Sequence, residues 1–308
     1  MCDTLNNCPM PKAIAPLPRN ARRRIRWLPC LALVWLLPLT ATADHDSGRS
    51  APIVGAGAHF AWVIFHELQP ELERATGRKL ELHGRNSALG MGCKAGIRNA
   101  GKHSPAHETF GFVCCPLDEA ELAKNNLVLH PLAREPILIL VNEANPVRNL
   151  STAQVRAIFR GEIRNWKAVG GPDKGIVVVT RLHCRKRSGH WKHILPRAED
   201  FRPDRLDVSG AEDMVQKIND FTWAIGHTGA TWAFRADDRV RALTIDGHAP
   251  TAANLAAGRY PFHRQLGAVV RADARGDVLE VIRAVKQGKT FEKLARKYQL
   301  LPLNDARP

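Results

Sequence analysis

The run Arg181-Leu-His-Cys-Arg-Lys-Arg187, with Ser188-Gly189-His190 directly behind it, concentrates more chemistry than any other stretch of the 308-residue chain. Its cations bind anions, arginine through a planar fork that matches an oxyanion. The Ser188 hydroxyl and the backbone N–H groups at Gly189 extend the same capacity. His183 and Cys184 add nitrogen and sulfur donors of the kind that suit zinc or copper(I). Cys93, Cys114, Cys115 and His59 belong to the same donor class. Their spacing matches no zinc motif, so three readings stand open at this point. One is a disulfide of Cys93 with Cys114 or Cys115. The second is a thiolate and imidazole metal site from Cys93, Cys115, Cys184 and His59. The third is an anion site in which thiols, imidazoles and the cations Arg181, Arg185, Lys186 and Arg187 act together.

The elements that must position these groups follow from apolar patterning. Ile176-Val-Val-Val-Thr180 reads as a strand buried on both faces, as in a parallel sheet, and it delivers Arg181 and its loop to the sheet edge where ligands bind in open α/β folds. Pro52–Gly57 reads as a strand running into a turn, with His59 opening a helix that carries Phe60, Val63, Ile64 and Leu68 and closes at Gly77. Leu80–Leu82 is a second strand, and the glycine-rich turn 86–93 precedes a helix starting near Lys94. Phe110–Val113 is a third strand ending on Cys114-Cys115. Residues 99–109, with His103 and His107, read as surface loop. Leu127–Leu132 and Ile137–Val141 read as two strands. Ser151 and Gln154 fit a capping box, and Ser209 with Glu212 predicts a second capped helix start. Alternation of strands and helices in two groups predicts a largely parallel sheet in two lobes, with the ligand cleft between them.

The first 43 residues stand apart. A basic stretch, Arg19 to Arg26, an apolar run from Trp27 to Leu39 and the small residues Ala41-Thr42-Ala43 predict a cleaved secretory leader. Pro29 and Pro38 interrupt the apolar run, so no stable membrane anchor is expected. Residues 44–51 are a linker. The chain holds 45 Lys and Arg against 30 Asp and Glu. Only six of those cations fall in the leader, so the remainder stays basic and attracts anions. No nucleic-acid-binding motif is visible, and nucleic acid is not expected as a partner.

Several longer runs carry a resemblance. Leu127-Val-Leu-His-Pro-Leu-Ala, Ile139-Leu-Val-Asn-Glu-Ala-Asn-Pro-Val147, Leu150–Gly161, Ile163-Arg-Asn-Trp166, Ile176–Arg181, Ala224-Ile-Gly226, Leu243–Gly247 and Tyr260-Pro261 occur in the order found in phosphate-type periplasmic substrate-binding proteins. The resemblance covers about residues 52–300. It implies an α/β, two-lobed type II periplasmic-binding-protein fold, each lobe a mainly parallel sheet flanked by helices, joined by two hinge crossovers. The implied boundaries are 52–139 and 263–308 for lobe 1 and 140–262 for lobe 2. The implied role is non-enzymatic: a monomeric periplasmic protein capturing a small phosphate-like anion for an ABC-transporter permease, with no cofactor. In such proteins hydroxyls, backbone N–H groups and an arginine from four loops hold the ligand. Arg181 and Ser188-Gly189 match that pattern, the serine arriving three residues late. At the other loops Ala58-His59, Leu89–Cys93 and Cys114-Cys115 stand where hydroxyl residues are usual. By the resemblance the site is therefore His59, Cys93, Cys114, Cys115, Arg181, His183, Cys184, Arg185, Ser188 and Gly189. The alternative on the same scaffold is a metal- or thiol-dependent sensor or redox protein holding zinc or copper.

Overall fold

The computed structural model describes residues 51–84, 92–115, 117–184, 190–232 and 238–303. The leader and linker expected over 1–50 lie outside the described residues. No helix among the described residues is long and apolar enough to cross a membrane.

In chain order the elements are β1 (Ile53–Gly57), α1 (His59–Thr76), β2 (Leu80–His83), α2 (Cys93–Ala100), β3 (Thr109–Val113), α3 (Glu119–Lys124) and β4 (Leu127–Asn142). Then come β5 (Asn149–Leu150), α4 (Thr152–Arg160), β6 (Val177–Thr180), β7 (Leu206–Asp207), α5 (Ala211–Asp220), β8 (Ala224–Gly229), β9 (Val240–Ala242) and β10 (Thr244–Ile245). The chain closes with α6 (Ala252–Ala256), β11 (His263–Arg271), α7 (Asp277–Gln287), α8 (Lys289–Lys297) and β12 (Leu301–Pro302).

The main sheet runs in the order β2-β1-β3-β11-β4-β8-β6-β7, with β9 and β12 also paired to β4. Parallel pairs occupy the two wings: β1 with β2 and β3, and β6 with β7 and β8. The middle is antiparallel, because β11 pairs with both β3 and β4, and β4 pairs with β8. The sheet is thus mixed rather than largely parallel, and the reason is β4 itself. The two short strands expected over 127–141 are one continuous strand of 16 residues. Proline withholds a ladder donor and is tolerated at irregularities. Here the register shifts between Leu266 and Gly267, opposite Ala133 and Pro131, so the ladder gives way where Pro131 stands.

Two groups of apolar side chains fill the interior. One joins α1, α2, β3, β11, α7 and α8 through residues such as Phe65, Phe110, Phe112, Val269 and Phe291. The other joins β4, α4, β6 and β8 through Ile139, Phe159, Trp166, Val178 and Ile225. Helix α1 places Ile64, Phe65, Leu68 and Leu72 on one buried face and ends in left-handed Gly77, as its spacing predicts. It runs through Pro70 without interruption. Helix α4 has the expected capping box of Ser151 and Gln154 and closes on left-handed Gly161.

Two local expectations change. His103 is buried rather than on a surface loop, because its Nδ1 accepts the Thr109 backbone N–H at 3.2 Å. Helix α5 begins at Ala211 without a side-chain cap, and Ser209 binds Asp213 instead of pairing with Glu212.

Helix α2 lies directly on β3 because two glycines meet there. A Cβ on Gly96 would stand 2.6 Å from the Phe112 carbonyl oxygen, and one on Gly111 would collide with the Gly96 backbone. That contact sets Cys93, the first residue of α2, against Cys114 at the end of β3. Gly111→Ala is therefore expected to destabilise the fold by about 1–3 kcal/mol. Chemical denaturation would show it as a lowered midpoint, and an unchanged midpoint would mean that α2 is free to lift from the sheet.

Candidate functional site

Three chain segments converge at the C-terminal edge of the sheet, each stopping where a strand ends or a helix starts. The Cys114 backbone N–H donates to Cys93 Sγ at 3.2 Å, and the two sulfurs stand 3.6 Å apart. From the other wing β6 delivers Arg181, His183 and Cys184, with Cys184 at a φ of 54°. That left-handed backbone is uncommon for a residue with a side chain and marks a conformation imposed by its surroundings. The Cys93, Cys115 and Cys184 sulfurs all lie within 4.8 Å of one another. Among the described residues Cys93, Cys114, Cys115 and Cys184 form no disulfide, so the pairing of Cys93 with Cys114 or Cys115 is absent.

These residues border a cavity of about 390 Å³, a size suited to a small ligand. Cys93, Cys114, Arg181, His183 and Cys184, all expected from the sequence, line it. Cys115 is buried behind that wall. His59 is the first residue of α1, but its side chain lies outside the described set, as do Arg185, Ser188 and Gly189.

The cavity also has walls that sequence reasoning missed. Thr228, Gly229 and Thr231 come from the end of β8, Ser209 to Asp213 from the start of α5, and Arg264 from β11. Arg264 is nearly buried and pairs through Nε with fully buried Glu135 of β4. Glu135 also accepts the Thr231 backbone N–H at 2.8 Å. Each stands out in the sequence as a charge within an apolar strand, but no local pattern pairs the two. Buried charges are paired or cost the fold heavily.

Electrostatics separate the groups. Burial and the nearby charge of Arg264 both work against the Arg181 guanidinium, whose Nε donates to the Ser209 carbonyl at 2.8 Å. Two guanidiniums thus face one space. Three imidazoles line up beside them, His183 on His190 at 4.6 Å between ring centroids and His190 on His227 at 4.9 Å. Burial pushes His183 down to about 4 and His227 down to about 3, so both are neutral near pH 7. His227 faces Phe159 in the core rather than the cavity. Among the thiols, bonds from Cys114, Cys115 and Cys184 hold Cys93 well below the ordinary thiol value. The same contacts, with Cys114 first, push Cys115 up.

The family model described as the PBP superfamily domain matches residues 95–293. The chain belongs to that superfamily. Among curated relatives it is 30% identical over 180 residues to the phosphate-binding protein PstS of Bacillus subtilis, covering 58% of this chain and 59% of that one. It is 24% identical over 151 residues to PstS of Pseudomonas aeruginosa, covering 44% and 47%. The chain therefore spans about three fifths or less of the length of these relatives. A Clostridium perfringens chain solved with bound phosphate superposes with a TM-score of 0.69 at 22% identity, covering 82% of this chain and all of that one. An ABC-type phosphate transport receptor from Vibrio cholerae gives 0.62 at 26% identity with the same coverage. The mixed α/β architecture of this chain matches these binding-protein structures.

Proposed function

We propose that this PBP superfamily member is a non-enzymatic, extracytoplasmic solute-binding protein that captures a phosphate-like oxyanion and passes it to an ABC-type importer. The observation that carries this reading is the pair of arginines, Arg181 and Arg264, facing a small cavity between two apolar cores. Two cations held near each other out of bulk water repel, and an anion between them relieves that cost. The cavity also meets the N-terminal ends of α2 and α5 at Gly92-Cys93 and Gly210-Ala211, where the helix dipoles favour negative charge. The relatives named for phosphate supply the chemical class. On this reading residues 52–139 and 263–308 form one lobe and 140–262 the other, closing on the ligand after a leader over 1–43 is removed.

Carboxylates in the wall refine the class. Asp213 is kept ionised by the Ser209 hydroxyl and backbone, and Glu212 stands beside it. An ionised carboxylate only accepts hydrogen bonds. Hydrogen phosphate has a proton to donate to it, whereas sulfate near pH 7 has none and meets repulsion. Calorimetry on the chain without residues 1–43 is expected to show one phosphate site, and sulfate is expected to bind more weakly. Arg181→Ala should lower phosphate affinity by about tenfold or more, the loss of a charged hydrogen bond. Unchanged affinity in that variant would remove Arg181 from the site, and no heat with phosphate or sulfate would overturn the proposal.

A further inference from the structure

Cys93, Cys115 and Cys184 come from the start of α2, the end of β3 and the loop after β6. Nothing in an anion site requires their sulfurs to meet. Three points mutually within 4.8 Å have a centre no more than about 2.8 Å from each. Metal–thiolate bonds are about 2.3 Å, so small side-chain rotations bring all three sulfurs into bonding range. We infer that Cys93, Cys115 and Cys184 form a three-coordinate site for a soft monovalent cation of the copper(I) kind.

The donor set selects the ion. It contains sulfur alone, which excludes oxygen-seeking cations such as magnesium and calcium. Zinc sites that hold a fold use four ligands. Cys114 contacts Cys93 and Cys115 but does not lie within the mutual 4.8 Å of the other three. A filled-shell monovalent ion is satisfied by three thiolates in a plane. Burial supports the assignment, since Cys93 and Cys115 are 0% and 1% exposed and shield the ion from water and oxidant. Cys93 and Cys184 also border the cavity, which provides an entry path. Binding releases the thiol protons to solvent. The surplus negative charge then faces Arg181 and Arg264, which are already coupled electrostatically to Cys184 and to Cys114 and Cys115.

This site is separable from the anion reading, because Cys115 is not in the cavity wall. The test is anaerobic competition for copper(I) between the full reduced chain and a chromophoric copper(I) chelator, followed by X-ray absorption at the copper edge. The expected result is one copper per chain with three sulfur neighbours. Cys115→Ser is expected to lower copper(I) affinity by about 100-fold or more, since even supporting residues around a metal cost 10–100-fold. Phosphate calorimetry should be unchanged in that variant. If Cys115→Ser does not fold, Cys184→Ser at a half-buried position gives the same reading of copper affinity. Cys114→Ser should retain copper(I) within a few-fold. Copper left wholly with the chelator would overturn the inference. So would equal copper affinity in Cys115→Ser, four-coordinate zinc held in preference to copper(I), or a disulfide among the three cysteines that persists in reductant.

Discussion

Glu135→Ala is expected to cost the fold about 3–5 kcal/mol, the usual consequence of stranding one member of a buried ion pair. Glu135 is 0% exposed, and its carboxylate holds Arg264 on one side and the Thr231 backbone and hydroxyl on the other. Arg264 cannot escape by losing its proton, because a guanidinium stays charged at any pH a protein survives. Burial works against that charge, and the proximity of Glu135 more than restores it. Removing the carboxylate leaves a cation in the sheet and an unmet Thr231 N–H beside the cavity. Urea unfolding followed by circular dichroism measures the loss. A drop under about 1 kcal/mol would show that water reaches Arg264 freely.

Acid is expected to remove a comparable amount of stability through the buried imidazoles, foremost His190, which burial holds well below the ordinary value, and His227. The ordinary imidazole value is 6.5, and burial followed by the charges of His183, Arg181 and Arg264 holds His227 near 3. The direction follows from proton counting. Below about pH 6.5 the unfolded chain takes up a proton that the folded chain refuses until about pH 3, so the unfolded state binds more protons throughout that window. Stability is thus fully present above 6.5 and falls as pH drops, by about 1.4 kcal/mol per unit for each such histidine. His183 and His193, both near 4, act the same way over a narrower window. The groups packed on His227 are His190 and Phe159, so His227→Leu keeps an apolar contact while removing the titration. Urea midpoints measured from pH 7 to pH 4 should fall less steeply in that variant. An identical slope would assign the acid lability to other groups.

Much of this was legible from local pattern, because it depends on neighbours in sequence. The capping box at Ser151 and Gln154, the glycine stops at 77 and 161, and the strand over 177–180 each follow from a few adjacent residues. Gathering of Cys93, Cys114 and Cys184 in one wall was expected from the family resemblance, which aims their loops at the cleft, and not from local pattern. Pairings across distance were not legible. Glu135 meets Arg264 across 129 residues of chain, and nothing near either residue announces the other. The merger of two expected strands into β4 depends on β11 running alongside with a register shift that accommodates Pro131. His103 looked like a loop residue because its partner, the Thr109 N–H, is a backbone group that sequence pattern does not display. Ser209 chose Asp213 over Glu212 for a reason only the start of α5 reveals.

The central position of β11 has a consequence for the order in which the molecule can assemble. Apolar residues around β6 and β8 belong to one uninterrupted span, 137–262, and can condense as that span becomes available. The opposite group draws on residues 53–133 and again on 266–300. Until β11 exists, β3 and the first half of β4 have no strand between them and present bare ladder edges. Residues 53–133 must therefore wait for β11 and the helices that follow it, and the cysteines at 93, 114 and 115 stay on unfinished ground until synthesis is nearly complete.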